Sequence, residues 1–221
     1  MPRSARQSGP VHGGLQRARV VWLSLLAAMT CTGGMLLALD GKPAPRTDGL
    51  SLPLTATSTV TVLEPIFRTK SPIAQGQWKA IVIHHSGSPV GTPGKLEEEH
   101  RARQFKGLGH HFLIGNGNGM DDGELHVGYR WLEQRAGAHA GGAEGDWYNR
   151  NAVSICLIGD GERQQFTRAQ MARLAELVGA LCADLDIPPE RVLLHNEIAP
   201  TADPGKHFHA AWLRQRLAGG R

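Results

Sequence analysis

No acidic residue precedes Asp40, whereas Arg3, Arg6, Arg17 and Arg19 all stand within the first nineteen positions. Those four arginines account for the whole formal net charge of +4, because the rest of the 221-residue chain carries 20 basic and 20 acidic residues. The positive balance therefore belongs to a leader. A folded surface with no excess positive charge excludes a broad phosphate-binding face, and with it a nucleic-acid partner. Three cysteines are too few for a disulfide-built scaffold. A hydrophobic share of 41% excludes wholesale disorder. No internal repeat is visible. Against these absences stands one excess: eleven histidines, ten of them between His84 and His209. Histidine is the commonest metal ligand and carries protons near neutral pH.

Residues 20–39, VVWLSLLAAMTCTGGMLLAL, are free of charge and follow the basic residues 1–19. Twenty helical residues rise about 30 Å, the thickness of a bilayer core. Basic residues on the N-terminal side keep that end in the cytoplasm. The run is longer than the ~7–15 residues of a signal-peptide core, so the favoured reading is an uncleaved membrane anchor, with a cleaved signal peptide as the alternative. Either reading places the remainder in the cell envelope, anchored and facing the periplasm or exterior, or secreted. Residues 40–76 hold Pro43, Pro45, Pro53, Pro65 and Pro72 among Thr and Ser. They read as a tether, with a short strand expected at residues 59–63. The folded unit is then expected over residues 77–221.

Within that unit, apolar runs at 80–83, 111–114, 124–131, 153–158 and 191–194 read as strands. Residues 92–103 and 208–217 read as helices. Residues 167–185 carry the clearest helical pattern, with Thr167 and Gln170 forming a capping box and an apolar stripe from Met171 to Leu185. Strands alternating with helices predict a single α/β domain, a central mixed β-sheet flanked by helices. The glycine-rich segment 115–119 lacks the Lys-Ser/Thr ending of a phosphate loop and reads as a hairpin.

Three expected strand ends and turns bear reactive residues. His84 follows the first strand and His195 the last. Asp203 lies in the turn Thr201-Ala202-Asp203-Pro204-Gly205. Two imidazoles and a carboxylate suit Zn2+, leaving a fourth position for water. By spacing alone His84 and His195 could equally be polar residues that close strands, and His207 and His209 are rival ligands.

Five blocks in order, IVIHHSGS at 81–88, HHFLIGNGNG at 110–119, GAHAGG at 137–142, NAVSICLIGD at 151–160 and LLHNEIAPTADPGKHF at 193–208, resemble the zinc-dependent N-acetylmuramoyl-L-alanine amidase family, which includes the peptidoglycan recognition proteins. The resemblance covers about 78–217. It implies a mixed sheet with flanking helices, and a zinc ion held by His84, His195 and Asp203. It also implies hydrolysis of the amide between the lactyl group of N-acetylmuramic acid and L-alanine of a peptidoglycan stem. Peptidoglycan or muropeptides become the expected partner, and a monomer the expected state.

The chain departs from the common pattern of the family at three places. His110 stands where many active members carry Tyr, and Cys156 where the recycling branch carries Glu. Thr201 takes a place often held by Lys, and is expected to share in catalysis. His110 is expected to carry the proton. His139, His85 and Asn151 are expected to contact substrate. His111 is expected to face inward, while His100 and His126 are expected at the surface or against a helix. Cys156 and Cys182 read as small packing residues. The rival functional class is a recognition protein that binds peptidoglycan without cutting it.

Overall fold

The chain alternates short apolar runs with one long amphipathic helix, and that alternation builds a six-stranded mixed sheet. The computed structural model describes residues 50–52 and 63–219. Contacts divide the chain into residues 1–45 and 46–221, and only the second unit contains described residues. Its strands are β1 (Leu50–Leu52), β2 (Ala80–His85), β3 (Phe112–Ile114), β4 (Leu125–Val127), β5 (Ala152–Leu157) and β6 (Val192–Leu194), in the spatial order β1-β4-β3-β5-β2-β6. β2 runs parallel to both β5 and β6, and β3 runs parallel to β5. β4 is antiparallel to β3 and β1. The helices are α1 (Pro93–Ala102), α2 (Tyr129–Leu132), α3 (Gly145–Asn151), α4 (Arg168–Leu185), α5 (His195–Ile198) and α6 (Ala210–Ala218).

The two-residue period of each strand sorts its side chains onto two faces. Ile81, Ile83, Phe112, Ile114, Val153, Ile155 and Leu157 pack on one face with Leu174, Leu177, Val178 and Leu181 of α4. Each of those α4 side chains is fully buried, which stabilises the fold by about 1.5–3 kcal/mol apiece. Thr167 caps α4 through the expected box. Gln170 does more than complete that box: its Nε2 also donates to the carbonyls of Ile114 and Ile158, tying the ends of β3 and β5 to the helix. The opposite face is divided. Leu96, Leu108, Leu113, Met120, Cys156 and Ile158 form one cluster, and Ala80, Val82 and Ala152 form another with Tyr148 and Ile198. His84 and Ser154 alternate in phase with these residues.

The folded unit begins earlier than expected. Leu63 and Ile66 are buried in the main cluster. Trp131 donates its indole N–H to the Ile66 carbonyl at 2.7 Å, and the amides of Lys70 and Ser71 donate to the Leu132 carbonyl. The Pro-rich composition masked this attachment, because a 3-10 turn at Glu64–Phe67 tolerates Pro65 in its first turn. β1 likewise falls inside the expected tether. The strand expected at 59–63 lies outside the described residues except for Leu63, which is in a bend. The expected strand at 124–131 is split, because Gly128 ends β4 and starts α2. Helices α3 and α5 have no counterpart in the sequence reading. Among the described residues no helix is long and apolar enough to cross a membrane, and residues 20–39 lie outside them.

Candidate metal centre and cleft

Parallel strands present their carboxyl ends to one side, where open α/β sheets build their sites. β2 ends in His84 and His85, and β6 runs directly into His195, the first residue of α5. Asp203 Oδ2 lies 3.0 Å from His84 Nδ1 and 2.8 Å from His195 Nδ1. Its other oxygen, Oδ1, accepts the His85 amide at 2.6 Å. The Asp203 carboxylate is thus aimed by one backbone hydrogen bond and faces two imidazoles. Ligand atoms of these three residues all lie within 4.8 Å of one another. An ion about 2 Å from each donor fits such a set. Among the described residues, neither His207 nor His209 joins it.

Close backbone contact fixes the Asp203 turn. A Cβ on Gly205 would stand 2.1 Å from the Gly161 carbonyl carbon, and one on Gly161 would stand 1.9 Å from the Pro204 oxygen. Gly205 also has φ +98, which favours glycine. The His207 amide donates to the Gly161 carbonyl, and the Lys206 amide to Glu162 Oε1. The Asp203–Pro204 peptide is cis.

The surroundings of Asp203 favour its charged form. Burial works to raise the Asp203 pKa, but hydrogen bonds from His195 and His84, with the charges of His84 and His85, outweigh this and hold it well below the usual range. Burial lowers the His84 pKa, with Asp203 opposing. Burial holds the pKa values of His110 and His139 well below the ordinary value, and neighbouring histidines add to the effect in both.

A cleft of about 380 Å³ opens over this centre, bordered by His84, His110, His139, His195, Asn149 and the α1 end at Arg103. His110 Nδ1 shares a hydrogen bond of 2.6 Å with Ser154 Oγ of β5. The rings of His110 and His84 are 5.0 Å apart. His139 Nδ1 lies 3.0 Å from His84 Nε2. His85 borders the cleft, but its Nδ1 accepts the Gly161 amide at 3.0 Å, so that atom is committed to the Asp203-side loop.

Two expected contacts lie elsewhere. Asn151 ends α3 and uses its amide to cap the Trp147 carbonyl, away from the cleft. Asn149, two residues earlier, is the asparagine that reaches it. Thr201 does not border the cleft either. Its hydroxyl accepts the Asp203 amide at 3.3 Å, which makes it a support of the turn. His111 faces inward as expected, edge-on to Trp78 with ring centroids 4.8 Å apart. His126 is buried in β4, paired with the buried Leu113 of β3.

His100 also differs from expectation: it borders the cleft and accepts the Gly109 amide on Nδ1. The signal was present, since His100 and Arg103 follow the buried Leu96 at helical spacing on one face of α1. Ser154 carried no signal, because its role depends on a partner 44 positions away. Cys156 is fully buried and burial pushes its thiol pKa up, which fits a packing residue and leaves no acid where the recycling branch has Glu.

Comparison with known proteins bears on this geometry directly. The profile described as N-acetylmuramoyl-L-alanine amidase matches residues 74–206. The chain belongs to this amidase family. It is similar to the endolysin of Escherichia phage T7, at 30% identity over 146 residues, covering 62% of this chain and 87% of the endolysin. It is also similar in structure to an endolysin N-acetylmuramoyl-L-alanine amidase from Clostridium intestinale, with TM-score 0.55 and 26% identity, covering 68% of this chain and 90% of that one. The Drosophila peptidoglycan recognition protein SA shares the fold, with TM-score 0.51 at 19% identity over 65% of this chain and 82% of that one. The amidase profile spans all three metal-centre residues, the cleft histidines and the tether's folded end from Ala74.

Proposed function

We propose that the chain is a zinc-dependent N-acetylmuramoyl-L-alanine amidase that cuts the amide between the lactyl group of N-acetylmuramic acid and L-alanine of a peptidoglycan stem. The observation that carries this reading is the convergence of His84 Nδ1, His195 Nδ1 and Asp203 Oδ2 in an open cleft. The two-nitrogen, one-carboxylate set suits zinc and leaves room for a fourth ligand. When bound there, zinc supplies Lewis acidity toward the scissile carbonyl and acidifies a water.

The chain's own residues supply the rest. Asp203 offers one oxygen to the centre while the His85 amide holds the other. His110 sits across the cleft, neutral because it is buried, with one ring nitrogen engaged by Ser154. A neutral imidazole has one N–H and one lone pair. It can donate to a developing oxyanion or accept a proton for delivery to the leaving amine. That assigns to His110 the task that Tyr performs in many relatives. Residues 20–39 complete the reading as an anchor or secretion signal that places the domain in the cell envelope.

The test uses full-length protein with measured zinc content and defined muropeptides, and mass spectrometry to detect the freed L-alanine amine. Chelator-sensitive release is expected, and His110→Ala is expected to lower kcat by about 10²–10⁴-fold. Zinc-loaded protein that binds muropeptide but releases no product would replace this reading with the recognition class. Full activity of His110→Ala would remove His110 from the mechanism.

A further inference from the structure

Helix α1 ends at the rim of the cleft, and its last turn carries His100 one turn after the buried Leu96. The His100 ring spends a nitrogen on the protein's own backbone: Nδ1 lies 2.8 Å from the Gly109 amide. A backbone N–H can only donate, so this ring nitrogen is the bare one and accepts. The carbonyl of the same peptide, on Leu108, accepts Arg130 Nε at 2.7 Å. The Leu108–Gly109 peptide is therefore gripped from two sides, by an imidazole of α1 and a guanidinium of α2. The next carbonyl, on Gly109, accepts the Ala138 amide at 2.9 Å. Gly109 must be glycine for the loop to close on it, because a Cβ there would stand 2.3 Å from the Ala138 oxygen.

The residue that follows this gripped peptide is His110, buried and two positions before β3. On its downstream side β5 holds it: the His111 amide donates to the Ser154 carbonyl at 3.1 Å, and Ser154 Oγ meets His110 Nδ1. On its upstream side the Gly109 peptide sets the direction in which the His110 side chain leaves the backbone. The His100 ring also lies against the His110 ring, with centroids 5.4 Å apart. His100 is itself backed by Phe105, whose ring centroid lies 5.6 Å away and whose amide donates to the His100 carbonyl at 3.0 Å. Gly109 is buried, so its N–H has no water to turn to when the imidazole is removed. The peptide must then shift to find an acceptor, and His110 shifts with it.

We propose that His100 is a positioning residue for His110: by accepting the Gly109 amide it sets the peptide that aims the His110 ring across the cleft. This rests on the task given to His110 above and deepens it. A displacement of about 1 Å in a reacting group costs on the order of 10²-fold in rate, so one hydrogen bond behind the group can govern turnover without touching substrate.

The test is the kinetics of full-length, zinc-loaded protein on a defined muropeptide, joined to amide hydrogen exchange read at Gly109 by NMR. His100→Leu is expected to lower kcat and kcat/KM by the same factor, about 10–100-fold, with KM and zinc affinity unchanged. Its Gly109 amide is expected to exchange faster than in the wild type. His100→Asn, whose Oδ1 stands as far from Cβ as Nδ1 does, is expected to recover most of both losses. In a His110→Ala background, the added change His100→Leu is expected to lower kcat no further, since the ring it aims is gone. Wild-type kcat in His100→Leu would overturn the proposal. So would a raised KM with unchanged kcat in both His100 variants, which would make His100 a substrate contact. A second full loss on top of His110→Ala would overturn it as well, since it marks general damage to the fold. In each of these cases the wild type still frees the L-alanine amine, and the amidase reading stands. No release by the wild type would overturn both.

Discussion

Ser154 Oγ and His110 Nδ1 meet at 2.6 Å, joining the middle of β5 to the residue two positions before β3. Both groups are buried, so neither has water as a substitute partner. Ser154→Ala leaves the His110 ring free to rotate and its Nδ1 without that partner. Muropeptide hydrolysis by Ser154→Ala is expected to fall by about 10–100-fold, with zinc content unchanged. Unaltered kcat in this variant would show that the hydroxyl only fills space.

Asp203 is the least replaceable residue of the centre. Asp203→Ala removes the acceptor of both imidazole contacts and of the His85 amide. Zinc is expected to be lost on dialysis and hydrolysis to drop at least about 100-fold, whereas thermal unfolding of the metal-free protein changes little. Retention of stoichiometric zinc in the variant, read by elemental analysis, would contradict the assignment.

The fold should weaken in mild acid. Burial pushes the His111 pKa down to about 4 and that of His126 down to about 4 as well. In the unfolded chain both titrate near 6.5. Between pH 6.5 and 4 the unfolded state therefore binds protons that the folded state excludes, and stability falls as pH falls through that window. The contribution of these two rings levels off below about 4. Urea midpoints of chelator-treated protein from pH 8 to 4 are expected to trace this decline. A flat profile would mean that both rings are protonated in the fold.

Residues before Gln77 should matter for stability. Ile66 is fully buried and its carbonyl accepts the Trp131 indole. Ile66→Ala is expected to cost about 2–5 kcal/mol. A truncation starting at Ser71 is expected to unfold at lower temperature than one starting at Arg46. Equal melting temperatures would place the fold's boundary where the sequence suggested.

Gln170 serves a cap and two strands at once. Gln170→Ala leaves the Ile114 and Ile158 carbonyls without this donor, and the Thr167 amide without its acceptor. The expected loss is about 2–4 kcal/mol in denaturant midpoints, more than the ~1 kcal/mol of a cap alone. A loss of only ~1 kcal/mol would show that water replaces the amide at the strand ends.

The sequence by itself determined the elements whose signals are local. The two-residue alternation of β2 and β5, the capping box and stripe of α4 and the Asp-Pro-Gly turn are written in neighbouring residues, and so is the order of the motif blocks. His84, His195 and Asp203 were legible because each closes or follows such an element. Only the tertiary structure decided the rest. Asn149 rather than Asn151 faces the cleft because α3, unread in the sequence, turns one side of its short helix toward the 137–140 loop. Leu63 and Ile66 belong to the core because β1 and the 3-10 turn find partners some 65 to 75 positions downstream. His126 is buried because Leu113 sits opposite it in the neighbouring strand. Local periodicity reports which residues share a face of one element. Which faces meet depends on contacts between elements far apart in the chain.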